Sequence, residues 1–161
     1  MPSIRGLPPP PSRSDKVIYT RARFYGQRNR PLWKLVQTQI TSRRRRAAIH
    51  ACRRYPWVEG IFEHRNTQPF VHDTSITVRH NGREHIFFVF CQNHCRLPFN
   101  NAVVGPWRGN IVVMKAGSDV SGVVDMRSQD AELVDQAINE FVFRVKQKSP
   151  FRFPKKLVFN I

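Results

Sequence analysis

The dipeptide Asn81-Gly82 separates two β-rich runs, Ser75-Ile76-Thr77-Val78-Arg79-His80 and Arg83-Glu84-His85-Ile86-Phe87-Phe88-Val89-Phe90. A type I′ hairpin needs positive φ at both turn positions, which Asn and Gly supply best, so this stretch predicts two antiparallel strands joined by a two-residue turn. The second run ends in an unbroken apolar block, Ile86 to Phe90. A strand without polar alternation has to be covered on both faces. The chain is thereby committed to a sheet with apolar cover above and below, and Arg83–Phe90 is expected to be a central strand.

One cover is readable further on, in Ser128–Gln147. Leu133, Val134, Ala137, Ile138, Phe141, Val142 and Val145 recur at the spacing of one helical face. Ser128 stands where an N-cap is needed, Asp130 and Glu132 fall in the first turn, and Arg144, Lys146 and Lys148 lie near the end. That order of charges suits the helix dipole. Burying each large side chain of the stripe is worth roughly 1.5–3 kcal/mol, so this helix needs a flat apolar surface.

Further strands are predicted at Val58–His64, Asn110–Lys115 and Val123–Met126, with Pro150–Ile161 as a last edge strand or a segment packed across the sheet. The stretch Leu97–Gly109, with Pro98, Asn100, Asn101, Gly105 and Pro106, reads as a loop or a short helical turn. Upstream, Asn29-Arg30-Pro31 resembles a helix start, and Trp33, Val36 and Ile40, then Ala48, Cys52 and Tyr55, recur at helical spacing until Pro56. The expectation is one helix over Pro31–Tyr55, or two broken near Thr41-Ser42. Residues 1–16, with four prolines at 8–11, read as a disordered Pro-rich tail that serves as a spacer more readily than as an SH3 or WW ligand.

These pieces define the expected fold class as α+β. One domain covers 17–161, with a basic N-terminal arm and helix at 17–56 and a sheet–helix body at 57–161. The body is an antiparallel sheet of four to five strands with the long C-terminal amphipathic helix packed on one face. Helix, then strands, then helix lacks the alternation of a doubly wound sheet.

Charge is distributed unevenly over this plan. Of a net +16, residues 1–56 carry +13, from 14 Lys/Arg against the single acid Asp15, while the remainder is near balance. Such asymmetry is the footprint of an anionic partner. Aromatics Tyr19, Phe24, Tyr25 and Trp33 interleave with the basic residues, and aromatic rings beside arginine can stack on bases. The candidate nucleic-acid-binding residues are Arg21, Arg23, Arg28, Arg30, Lys34, Arg43, Arg44, Arg45, Arg46, Arg53 and Arg54. On a helix, the four arginines 43–46 would fan around about 300°. They therefore suit an import tag or non-specific phosphate contacts better than a recognition face. The leading functional expectation is a non-enzymatic protein that binds the phosphate backbone of RNA or DNA in a salt-dependent way. The alternative is a protein–protein scaffold whose basic arm docks an acidic partner.

Enzyme chemistry finds little support. There is no Walker-type loop, no Gly-x-Ser-x-Gly and no His-Glu-x-x-His, and carboxylates near loops are scarce. His50, Cys52, Cys91, His94 and Cys95 could be imagined around zinc, but their spacings are not those of paired knuckles. No metal or cofactor is expected, and Cys52 and Cys91 read as small buried hydrophobes. His72-Asp73 reads as a generic loop pair. Three cysteines, no apolar run near the roughly 18 residues of a bilayer span, and no apolar block in the first 16 residues point to a soluble intracellular protein. Nucleus or cytoplasm is expected; the prolines at 8–11 leave mitochondrial import as the weaker reading.

Overall fold

The structure, a computed structural model, describes residues 17–42, 52–56, 61–62, 71–92, 96–117, 122–145 and 154–161. Their elements run β1 (Val17–Tyr25), β2 (Leu32–Ser42), β3 (Cys52–Pro56), β4 (Val71–His80), β5 (Arg83–Gln92), β6 (Ile111–Ala116), β7 (Val123–Val124), a 3-10 turn (Ser128–Asp130), α1 (Ala131–Val145) and β8 (Lys156–Asn160). Seven strands form one path, β3-β2-β1-β6-β5-β4-β8, and the short β7 pairs with β6 beyond the point where β1 leaves it. All pairings are antiparallel except β4 with β8, which is parallel, so the sheet is mixed.

This architecture overturns the expected fold class in two respects. The sheet has seven strands in its path rather than four or five. Among the described residues there is no basic N-terminal helix: Leu32–Ser42 and Cys52–Pro56, the two ends of the expected Pro31–Tyr55 helix, are strands paired with each other. The helical spacing of Trp33, Val36 and Ile40 competes with a two-residue alternation in the same stretch. Lys34, Val36 and Thr38 lie on one face of β2, whereas Trp33, Leu35 and Gln37 lie on the other with Tyr19, Arg21 and Arg23. Pairing with β1 along eight registered positions decides between the two patterns.

The hairpin has the predicted turn. Asn81 and Gly82 have φ of 49° and 73°, and β4 and β5 run in register from Val71–Gln92 to His80–Arg83. β5 is an interior strand, but the middle of the path is β6, whose first four residues are all buried. Of the strand expected over Val58–His64, only Ile61 and Phe62 are described, and neither is in a strand. The expected tail strand is β8, and its parallel pairing with β4 replaces the antiparallel arrangement.

Two apolar layers result, one on each face. Toward α1 lie Tyr25, Ile76, Val78, Phe87, Val89, Cys91, Ile111, Val113 and Phe159, which meet Val134, Ala137, Ile138, Phe141 and Val142 of the helix. Toward the other side lie Ala22, Val36, Phe90, Val112 and Met114, covered by Ile61 and Phe62. This is the double cover that the Ile86–Phe90 run requires. The helix begins later than Ser128, and Ser128 is not its cap. Instead the Asp130 carboxylate accepts the Arg127 backbone N–H at 2.9 Å and two hydrogen bonds from Lys115 Nζ at 3.1 Å, tying the start of the helix to β6.

Candidate functional site

Residues 17–56 contain eleven Lys/Arg and no Asp or Glu. Since β1, β2 and β3 are consecutive in the sheet as well as in sequence, the described parts of this segment become a single wing, with β3 last in the strand path and lying near β7. The β1–β2 connection, residues 26–31, closes one end of the wing, and the chain joining Ser42 to Cys52 leaves and re-enters at the other.

The candidate arginines do not share one role within the wing. Arg23 faces α1 and is committed there. Its Nε and Nη2 donate to the two oxygens of Asp135 at 3.0 and 2.8 Å, and the Tyr25 hydroxyl donates to the same carboxylate. The hydrogen bond that Arg23 donates to Asp135 raises the Arg23 pKa above its ordinary value, and burial, with the Asp135 charge beside it, pushes the Tyr25 phenol up. Lys34 points to the opposite face, with Nζ 3.5 Å from the Ile61 carbonyl and 4.9 Å from the Phe24 ring centroid. Neither belongs to an open anion-binding surface.

Arg21 is intermediate. Its guanidinium lies 3.9 Å from the Trp33 ring centroid and donates to Ser128 Oγ at 3.2 Å, while its backbone N–H donates to Asp125 Oδ1 at 2.8 Å. Arg23 approaches the same Trp33 ring at 4.6 Å. Arg28 and Arg30 are exposed in the β1–β2 connection, with no ion-pair partner among the described residues. That connection is anchored by Asn100 Nδ2 to the Tyr25 carbonyl at 2.9 Å, and by Asn101 Nδ2 to the Gln27 carbonyl at 2.8 Å. Arg43, Arg44, Arg45 and Arg46 lie outside the described residues; Arg53 and Arg54 are placed only as backbone at registers opposite Thr41 and Ile40.

Between the two ends of the wing, on the α1 side, Tyr19 and Leu35 are 60% and 64% exposed. Tyr19 pairs with Gln37, and Arg21 with Leu35, so these four form a two-by-two group on one face. The groups that hold Arg21 and Arg23, namely Ser128 and Asp135, were not among the candidate residues. Asp135 carries a faint sequence signal: it stands three residues before Ile138 and one after Val134, at the border of the buried stripe.

The residues considered for other chemistry are placed differently. His72 and Asp73 lie in β4 rather than in a loop, and being consecutive they face opposite sides, His72 buried and Asp73 exposed. Burial lowers the His72 pKa against an opposing pull from Asp73. Cys91 is fully buried in the α1-side layer, and burial pushes its thiol up, away from the reactive thiolate. His50, His94 and Cys95 lie outside the described residues, as do residues 1–16. Among the described residues no group of three His, Cys, Asp or Glu stands close enough to hold a metal ion. Trp107 is fully buried, its ring tilted 51° against Phe141 at 5.5 Å, and Arg108 covers the Phe99 ring at 3.8 Å. Among the described residues no helix is long and apolar enough to cross a membrane.

Comparison with protein-family models, with curated proteins and with solved structures returned no match to this chain.

Proposed function

We propose that this protein is a non-enzymatic, nucleic-acid-associated protein that grips phosphate backbone through the β1–β2–β3 wing. The observation that supports the reading is the adjacency of those strands, which among the described residues gathers seven Lys/Arg and no acid on one end of the sheet. Coulomb attraction to a polyanion depends on charges clustered in space rather than in sequence. With Arg23 and Lys34 engaged in contacts within the molecule, Arg28 and Arg30 are the described residues best placed to meet phosphate, with Arg21 further along β1 on the α1 side. Contacts of this kind position a strand without reading its sequence.

The test is a binding titration with a labelled oligonucleotide, comparing the double variant Arg28→Gln/Arg30→Gln with Arg79→Gln. Arg79 is an exposed arginine of β4, outside the wing and paired with Glu84. Affinity should fall several-fold in the first and hold in the second. Equal losses in both would reduce the effect to net charge and reject the wing as the site. Tighter binding of a polyglutamate peptide than of the oligonucleotide would move the reading to an acidic protein partner.

A further inference from the structure

On its α1 side the wing offers more than charge. α1 secures the Tyr25 end of β1 through Asp135, and the chain after β7 runs beside Arg21, where the Met126 N–H donates to the Arg21 carbonyl at 3.0 Å. Beyond these contacts Tyr19 and Leu35 stay mostly exposed, on a two-stranded surface whose remaining members are Gln37 and Arg21. An exposed aromatic ring on a sheet face presents a π-face, and arginine next to it supplies both a planar stacking partner and a cation. The arginine is also preoriented: Trp33 backs its guanidinium at 3.9 Å and Ser128 Oγ fixes one nitrogen at 3.2 Å.

We propose that this face selects single-stranded over double-stranded nucleic acid, with an unpaired base stacked on Tyr19 and Arg21 at its neighbouring phosphate. The inference rests on the phosphate-binding reading of the wing. A duplex keeps its base faces inside the stack, so only a single strand can offer one to Tyr19. Arginines stand at one end of such a path, where Arg28 and Arg30 lie in the 26–31 connection. From Tyr19 to that connection the strand rises roughly 23 Å at about 3.3 Å per residue, a length suited to several nucleotides.

The experiment measures the binding of an oligonucleotide of about 12 nucleotides, single-stranded and as its duplex, in DNA and in RNA form. The proteins are the full chain and its Tyr19→Ala and Tyr19→Phe variants. The full chain should prefer the single strand, Tyr19→Ala should weaken single-strand binding about ten-fold while leaving the duplex alone, and Tyr19→Phe should retain the preference. Tyr19 is exposed, and unchanged melting of both variants checks that the fold is intact. Duplex and single strand bound equally, with Tyr19→Ala silent, would overturn the stacking inference and leave the phosphate reading standing. Failure of the full chain to bind either form would overturn both.

Discussion

Asp135 of α1 grips Arg23 of β1 through two hydrogen bonds of 2.8 and 3.0 Å, across 112 positions of sequence. With the Tyr25 hydroxyl on the same carboxylate, the contact fastens the helix to the basic wing. Asp135→Ala would leave a mostly buried guanidinium and a buried phenol without their shared acceptor. The expected cost is about 2–3 kcal/mol, read as a lower urea midpoint at unchanged slope. A loss under about 0.5 kcal/mol would mean that the contact does not hold the helix.

The two phenylalanines near the end of α1 should behave oppositely. Phe141 is fully buried against Trp107, whereas Phe143 is 71% exposed. Phe141→Ala is expected to destabilise by about 3–5 kcal/mol, and Phe143→Ala to change stability by less than about 0.5 kcal/mol. Thermal unfolding of the pair decides whether the helix lies on the sheet by the face described.

Two glycines with positive φ should differ in what they tolerate. Gly82, φ +73°, has nothing within 4 Å of an added Cβ, so Gly82→Ala meets only backbone strain, about 1 kcal/mol. Gly109, φ +88°, would place a Cβ 2.9 Å from the Gln92 carbonyl oxygen. Gly109→Ala should cost clearly more, about 2 kcal/mol or above. Equal costs in denaturant unfolding would contradict the close approach of the loop to β5.

Stability should decline on both sides of neutrality. The folded His72 pKa lies below its ordinary 6.5, so the unfolded chain binds the extra proton first and stability falls as pH drops below 6.5. Cys91 and Tyr25 have folded pKa values raised above 9.0 and 10.0, so the stability they contribute is full below those values and is lost as pH rises past them. His72→Gln should flatten the acid limb and Cys91→Ala the alkaline one in unfolding curves taken from pH 5 to 10. Limbs unchanged in both variants would contradict these assignments.

The hairpin and the helix were legible because each carries a local cause: Asn81-Gly82 dictates the turn, and the stripe from Val134 to Val142 dictates the buried face. The strands of the wing were not. In β1 the positions facing α1 include Arg21 and Arg23, which break the apolar alternation, and the groups that satisfy them, Ser128 and Asp135, are more than 100 residues away. In β2 the buried positions on the far face are Val36 and Thr38. The Thr38 hydroxyl donates to the Ile18 carbonyl at 2.9 Å, and Thr20 Oγ1 sits 2.9 Å from Thr38 Oγ1. A buried threonine pair looks polar in sequence and so hides a strand. The charge asymmetry was plain, but which arginines remain open to solvent depended on contacts that only the fold reveals.

The most direct test of the basic wing is the salt dependence of single-strand binding. For four neutralised phosphates, raising salt from about 50 mM to about 200 mM should weaken binding about 50-fold. In Arg28→Gln/Arg30→Gln, with two fewer contacts, the same change should weaken it only about seven-fold. An affinity indifferent to salt, or a salt slope that the double variant leaves unaltered, would contradict the account.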